Sequence, residues 1–399
     1  MFPITEKKII SEILKHEGCA DFITDLFHVN LLNNSVKPFT NFNSQLKSFT
    51  GISGKSPTEK VSIIDKGLLR KTIVKALKKR AFDSNLPYLH LAYYPKGYHT
   101  IVTFRVDCDV SDKESFFHLL KISEKYSFPL TWFLHLAFQE SYIHEIDDIR
   151  KNGHEVQLHC YDHETYPSYI ENKRNILKGK NIMEKEGFKV SGFVSPFGKW
   201  NHSLNRVLEE IKVNYSSEFA IGYDDFPFYP LYKNRRSKIL QLPIHPICIG
   251  SLRKSGFTNH EMMNYFEKII TSKYERQEPI MLYGHPKNEI DNYPDVINFI
   301  FTTLKGLPDV WIATYTEYAK WWKKRLSAKY SVSIKGDFLT IKTDNTNPDL
   351  QLHIEKQDSL ETYVPLLTAK LSMAHLKWTY RKEFTELSID GIGSMLSDE

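Results

Sequence analysis

The sequence predicts an α/β chain built on a distorted (β/α) barrel of seven or eight units, with a mixed N-terminal extension and a small C-terminal all-β module. Three observations lead there. Across the middle of the chain, short β-branched or aromatic runs alternate with segments of helical period. Strands alternating with helices of about 10–15 residues signal βαβ units and parallel strands. Such a long series of units suits a barrel better than a short open sheet, although an open doubly wound sheet answers to the same pattern. After the last unit the pattern switches to alternation of apolar and polar residues.

Taken in order, HTIVTFRVD (99–107) reads as the first strand, KESFFHLLKISEKYS (113–127) as an amphipathic helix and PLTWFLH (129–135) as the second strand. A polar helix containing IHEIDDIRKNG follows, then strand HEVQLH (154–159) and a long helix through NILKGKNIMEKEG. VSGFVS (190–195), NYSSEF (214–219), KILQLPIH (238–245), PIMLYGH (279–285) and VWIAT (310–314) continue the series, with helical segments between most of them. Beyond EYAKWWKKRL, the run KYSVSIKGDFLTIKTDN alternates around Gly336-Asp337, a hairpin signal. LQLHIEK and AKLSMAHLKWTY supply further strands. The expected division is a mainly helical extension over 1–96, the barrel over 97–327 and a β-sandwich-like module over 328–399. Within the extension, helical patterning falls at 5–17 and 66–82.

Composition excludes several classes. With 399 residues, 41% of them hydrophobic and 25% charged, the chain can bury a full core and is not intrinsically disordered. No uninterrupted apolar run reaches the ~18 residues of a membrane span. The opening MFPITEKKIISEILKHEG has charges where a signal peptide needs its apolar centre, so a cytoplasmic location is expected. Four scattered cysteines (Cys19, Cys108, Cys160, Cys248) make no disulfide framework, and those beside the strands read as buried thiols. A net charge of +5 is too slight to argue for nucleic acid. Segment 66–80 has seven basic residues and no acidic one, with Leu69, Ile73, Ala76 and Leu77 on one helical face. It reads either as a peripheral contact with the inner face of a membrane or as a surface helix packing that stripe on the barrel; the second is favoured. GISGKS (51–56) lacks the first glycine of a phosphate loop, Phe49 standing there, and reads as a plain loop.

The chemistry gathers at the ends of the predicted strands, where barrel enzymes place their sites. In TFRVDCD, Asp107 and Asp109 are two apart and point to the same side of a strand. His159 ends the next-but-one strand and His163 follows four residues later, close together if a helical turn starts there. Two imidazoles and a carboxylate leave positions open for water, as catalytic zinc sites do. The plainer readings are a loop cap for Asp107 and a strand terminus for His285. The segment NYSSEFAIGYDDFPFYP (214–230) mixes aromatic rings and carboxylates in a way that suits a sugar, which makes Glu218, Asp224 and Asp225 candidates for a pocket wall. His245 is a further candidate for the mouth, with a core or turn role as the alternative.

These segments together resemble the polysaccharide deacetylases, carbohydrate esterase family 4, over about residues 97–326. TFRVDCD resembles the first motif of that family, NGHEVQLHCYDH the second, GFVSPFG (192–198) the third and IMLYGH the fifth. VWIATYTEYAKWW is similar to the segment that closes the domain. The resemblance implies a metal-dependent sugar N-deacetylase on a distorted barrel. One divalent ion, Zn first with Co or Ni as alternatives, is then held by Asp109, His159 and His163, with Asp107 as catalytic base and His285 as catalytic acid. The Pro196-Phe197-Gly198 turn lines the substrate, the Phe197 N–H serving the oxyanion, and Trp200 joins the wall. One departure stands out: Val194 occupies the place of the motif arginine that pairs with the base. Arg105, two residues before Asp107 on the same strand face, or Lys199 takes its place.

The implied activity is removal of an N-acetyl or small N-acyl group from an amino sugar, nucleotide- or lipid-linked, in surface-glycan biosynthesis. The alternatives are a non-sugar C–N amide hydrolase on the same barrel and a catalytically inactive glycan-binding scaffold. The sugar, its carrier and the oligomeric state stay open.

Overall fold

The computed structural model describes residues 40–41, 57, 59–62, 65–146, 149, 152–232 and 235–381. The patterning at 5–17, the GISGKS loop, Cys19 and part of IHEIDDIRKNG lie outside the described residues. The chain forms two compact units, 1–75 with 97–327 and 76–96 with 328–399.

The first unit is a curled parallel sheet. Its strands are β1 (Thr100–Cys108), β2 (Thr131–His135), β3 (Glu155–Cys160), β4 (Gly192–Phe193), β5 (Tyr215–Ser216), β6 (Leu240–Gln241), β7 (Ile280–Gly284) and β8 (Val310–Ile312). They run in the order β6-β5-β4-β3-β2-β1-β7, all parallel, and β8 pairs with the early part of β1. The two ends of the sheet meet where the His245 N–H donates to the Met281 carbonyl at 2.9 Å and the Tyr283 hydroxyl to the Pro246 carbonyl at 3.0 Å, with no ladder between β6 and β7 among the described residues. Every expected strand appears, but β4, β5 and β6 shrink to two paired residues each. Gly192 shows why pairing is tight there: a Cβ on it would lie 2.1 Å from the Tyr215 ring of the neighbouring strand.

All nine residues of β1 are buried, as a parallel strand covered on both faces requires. Phe104 turns outward, edge-on to Phe301 of helix Pro294–Gly306 with centroids 5.3 Å apart. Arg105 turns the other way, facing the rings of Phe133 on β2 and Tyr283 on β7. Each such buried aromatic or aliphatic side chain contributes about 1.5–3 kcal/mol. Side chains cap the helix starts: Asp112 accepts from the Ser115 N–H, and Thr258 with Glu261 forms a capping box. Cys108, Cys160 and Cys248 are buried free thiols. Among the described residues of the polar segment after β2 there are a short turn of helix at Leu136–Gln139 and a 3-10 turn at Ile143–Glu145.

Helix Lys66–Asp83 spends its basic residues on protein partners. Arg70 pairs with Asp225 and Lys71 with Glu278, both at 2.6 Å, and Lys78 reaches Glu355 at 2.7 Å. Lys66 is buried against the Phe228 ring, and burial pushes its amine down to about 7. Ile73 is buried. These pairs support the packing helix over the membrane-lying one. Among the described residues no helix is long and apolar enough to cross a membrane.

The second unit holds two antiparallel sheets. Strands Tyr330–Lys335 and Phe338–Thr343 form the expected hairpin, with Ala369–Ser372 added to its edge. The other sheet runs Thr379–Tyr380, Leu360–Pro365, Gln351–Glu355 and Tyr88–Leu91. Residues 76–96 group with 328–399, because strand Tyr88–Leu91 completes a sheet whose other members lie more than 250 positions later.

Candidate active site

Strand β1 delivers the first two groups. Arg105 and Asp107, two apart, share one face of the strand and are both buried. Arg105 grips Asp107 with a two-pronged fork, Nε to Oδ1 at 2.7 Å and Nη2 to Oδ2 at 2.5 Å. Its third nitrogen, Nη1, donates to the Ser217 carbonyl at 2.8 Å and hydroxyl at 3.1 Å. Burial opposes the guanidinium charge, but Asp107 beside it more than offsets this and holds the proton more firmly than usual. Lys199 instead pairs with Glu164 at 2.9 Å. Arg105, not Lys199, is therefore the cation paired with Asp107.

Past the end of β1, Asp109 sits on a turn held by Gln139, whose amide donates to the Cys108 and Ser111 carbonyls at 3.0 Å each. The Asp109 carbonyl accepts from His135 Nδ1. Its carboxylate oxygen Oδ1 lies 3.1 Å from His159 Nε2 and 3.0 Å from His163 Nε2. The two Nε2 atoms are themselves 3.1 Å apart. His159 ends β3, and its Nδ1 donates to the Val194 carbonyl at 2.8 Å, which leaves the Nε2 lone pair facing Asp109. No helical turn brings His163 round, contrary to the spacing argument. The loop after β3 is a bend held by Asn175, which takes the Tyr161 and Asp162 N–H groups and donates to the Asp162 and Glu164 carbonyls. A single buried amide satisfies four backbone groups and sets the ligand loop.

His285, just past β7, completes the ring of groups, its Nε2 3.4 Å from Asp109 Oδ2. On its other side Nδ1 lies 2.9 Å from Glu289, and Glu289 also accepts from the His285 N–H and the Cys248 thiol. Gly250 leaves room for this carboxylate, since a Cβ there would lie 1.8 Å from it. Burial opposes the charge on His285, but Glu289 and Asp109 outweigh it and raise its pKa well above that of an ordinary imidazole. Against burial, His285, His159 and His163 draw the Asp109 carboxyl well below its ordinary value.

The residues fit a divalent cation. Buried Asp109 Oδ1 has no well-formed hydrogen bond although two imidazole nitrogens face it. Two nitrogens and one carboxylate oxygen converging on one point are the donor set of a catalytic zinc-type site.

The turn Pro196–Gly198 lies alongside: Phe197 is 58% exposed with φ +58°, and its ring meets His163 edge-on at 4.9 Å. Gly198, also at positive φ, has Phe219 where a side chain would be. Four expected wall residues are engaged elsewhere. Trp200 is buried with Ile221 and Phe228. Glu218 is buried beneath the turn, accepting from the Ser195 N–H at 3.2 Å, and burial raises its carboxyl to about 7. Asp225 holds Arg70, and His245 lies between Asp224 and the Tyr265 hydroxyl. The physical reason common to them is that their strands and loops turn these side chains into the core; Asp225 and His245 have ionic partners there that offset desolvation. Sequence reasoning missed His135, Asn175 and Glu289. His135 ends a recognised strand and Glu289 follows His285 by four, so both had a visible signal; Asn175 had none.

Residues 100–216 match the sequence profile described as polysaccharide deacetylase. A curated relative, the peptidoglycan deacetylase of Helicobacter pylori, is 29% identical over 126 residues. The match takes in 30% of this chain and 42% of that protein, so the chain spans less than half the length of the relative. Among solved structures, a polysaccharide deacetylase from Pseudomonas aeruginosa superposes with a TM-score of 0.50 at 17% identity, over 61% of this chain and 97% of that one. One from Mycobacterium smegmatis gives 0.49 at 16% identity, over 62% and 99%. At such identities the likeness concerns the fold.

Proposed function

We propose that this chain, whose residues 100–216 match the polysaccharide deacetylase profile, hydrolyses the N-acetyl or a small N-acyl group of an amino sugar. The observation that supports it is the meeting of Asp109, His159 and His163, with His285 opposite and an Arg105-clamped Asp107 two residues away on the same strand. Asp109, His159 and His163 would hold one divalent ion, Zn in first place with Co or Ni as substitutes. Such an ion supplies Lewis acidity toward an amide carbonyl and makes water a stronger nucleophile near neutral pH.

The chain's own groups do the rest. Asp107, both oxygens fixed by Arg105, takes the proton of the attacking water. His285, held by Glu289, delivers a proton to the departing amine. The turn at Phe197 offers a backbone N–H to the developing oxyanion, and its exposed ring gives a sugar a surface to lie on. The name of the Helicobacter pylori relative supports an N-acetylated glycan as substrate. A nucleotide- or lipid-linked amino sugar of surface-glycan assembly in the cytoplasm is the narrower form of the same reading.

The test is acetate release from peptidoglycan fragments and from free, nucleotide-linked and lipid-linked N-acetyl amino sugars, run beside metal analysis. Wild type is expected to hold one ion in the barrel and to release acetate from at least one of these, while His159→Ala loses both. A wild-type chain that holds no ion after reconstitution with Zn²⁺, Co²⁺ and Ni²⁺ overturns the reading.

A further inference from the structure

A second pair of imidazoles lies in the other unit. Strands Tyr88–Leu91 and Gln351–Glu355 pair antiparallel with His90 directly opposite His353. Glu355, two residues on, shares their face of the sheet. All three are buried, at 7%, 5% and 1% exposure. His353 Nδ1 and His90 Nε2 are 3.0 Å apart, and Glu355 Oε1 lies 3.5 Å from His90 Nε2 and 4.0 Å from His353 Nδ1.

Proton accounting makes this arrangement informative. His90 Nδ1 is 2.8 Å from the Leu91 carbonyl, which only accepts, so that nitrogen bears the hydrogen. His353 Nε2 is 3.0 Å from the Glu361 carboxylate, so that nitrogen bears a hydrogen. These contacts turn His90 Nε2 and His353 Nδ1 toward each other across 3.0 Å with Glu355 Oε1 beside them, three donor-type atoms converging on one point. In each ring the nitrogen turned away is anchored to a carbonyl or carboxylate, the pattern that orients histidines around a metal. Tyr363 stacks on His353, centroids 4.2 Å apart, and Tyr93 covers His90 at 4.9 Å.

We propose that His90 Nε2, His353 Nδ1 and Glu355 Oε1 form a second cation site that takes one borderline divalent ion, Zn²⁺ or Co²⁺, and staples strand Tyr88–Leu91 to Gln351–Glu355. Imidazole donors select such ions over Mg²⁺ or Ca²⁺. Lys78 and Arg381 already bind the other oxygen of Glu355, which weakens the carboxylate as a ligand and leaves the two imidazoles as the principal donors. The rival occupant of the gap is a proton, which makes the pair an imidazole–imidazolium couple. A metal staple joining residues 263 positions apart stabilises the folded unit by mass action.

The experiment uses the full chain with His159→Ala, which removes the barrel site, stripped with chelator and then given Zn²⁺. About one Zn²⁺ per chain is expected to survive gel filtration, and the melting temperature is expected to rise. His159→Ala combined with His353→Gln is expected to lose both effects. Should that double variant fold poorly by circular dichroism, His90→Gln replaces His353→Gln, and stoichiometry is also read in an otherwise wild-type chain, where His353→Gln lowers the ion count by one. Absence of Zn²⁺ in the His159→Ala chain overturns the proposal in favour of the proton. So does Zn²⁺ that persists unchanged when His353 or His90 is replaced. Because the readout is stoichiometry and melting, loss of deacetylase activity has no bearing on it.

Discussion

Two places in this molecule bring a pair of imidazoles to one carboxylate, and they differ in what surrounds the carboxylate. In the barrel, Asp109, His159 and His163 come from the ends of two strands and the loop after one of them, with Asp109 and His163 side chains 27% and 22% exposed. The other oxygen of Asp109 lies 3.4 Å from His285 Nε2, and the exposed Phe197 ring meets His163. In the β unit, His90, His353 and Glu355 stand on one sheet face, all buried, and Glu355 is loaded with Lys78 and Arg381. Structural metal sites are closed and catalytic ones keep an open position. The difference teaches that donor identity alone does not assign a role: the openness of the site and the other claims on its carboxylate decide it.

The sharpest break in the comparison is His159→Ala. Acetate release should fall by about a thousandfold or more, since the charge stabilisation lost amounts to several kcal/mol. Ion content at the barrel falls with it, while the His90–His353 site keeps its own. Next comes Arg105→Ala, measured by denaturant midpoint and kcat. Removing one partner of a buried ion pair costs about 3–5 kcal/mol of stability, and a base freed from its fork loses about a hundredfold in rate. Arg105→Lys restores charge but not the two-pronged grip. Lys199→Ala should leave kcat unchanged, since its pairing with half-exposed Glu164 is worth less than about 1 kcal/mol. An Arg105→Ala chain with wild-type turnover removes that residue from the mechanism.

A smaller effect is expected from Asn175→Ala, which releases the bend carrying His163. Metal affinity in the barrel, read by competition with a chelating dye, should drop about 10–100-fold, the usual loss when a ligand's support is removed. Affinity at the β-unit site should not move. The smallest effect is that of Glu218. Its carboxyl is raised by burial from 4.5 to about 7, so the folded chain binds this proton more tightly than the unfolded one. Its stabilising contribution is full below about pH 4.5 and is lost as pH rises through about 7. Glu218→Gln keeps an acceptor for Ser195 and should gain about 1–3 kcal/mol over wild type at pH 8, with the gain vanishing near pH 4.5. Equal pH dependence of the two unfolding midpoints would show that Glu218 is not the titrating group.

Much of the barrel was legible because its signal is local. Runs such as TIVTFRVDC are rich in β-branched and aromatic residues, as strands are, and each ends near a residue that matters to the site. The ligand residues were legible for the same reason: Asp107 and Asp109 stand in one motif, His159 and His163 in another. The pocket wall was misread. Glu218, Asp225 and His245 are polar residues in a loop-rich stretch, and composition alone does not distinguish a wall from a buried ion pair. The small β unit was half legible. Its hairpin around Gly336-Asp337 follows from alternation, whereas Tyr88–Leu91 has the same local pattern as any edge strand and no sign of its partner.

By itself, then, the amino-acid sequence determined the βαβ succession, the metal-type donors and the absence of an arginine at Val194, since each is a matter of spacing along a few residues. Tertiary structure alone decided that Arg105 and not Lys199 clasps Asp107, that the two sheet ends meet at His245 and Met281, and that His90 meets His353. Those outcomes depend on which side chains the closing sheet brings within about 3 Å in a buried setting, where an unpaired charge or lone pair is too costly to leave.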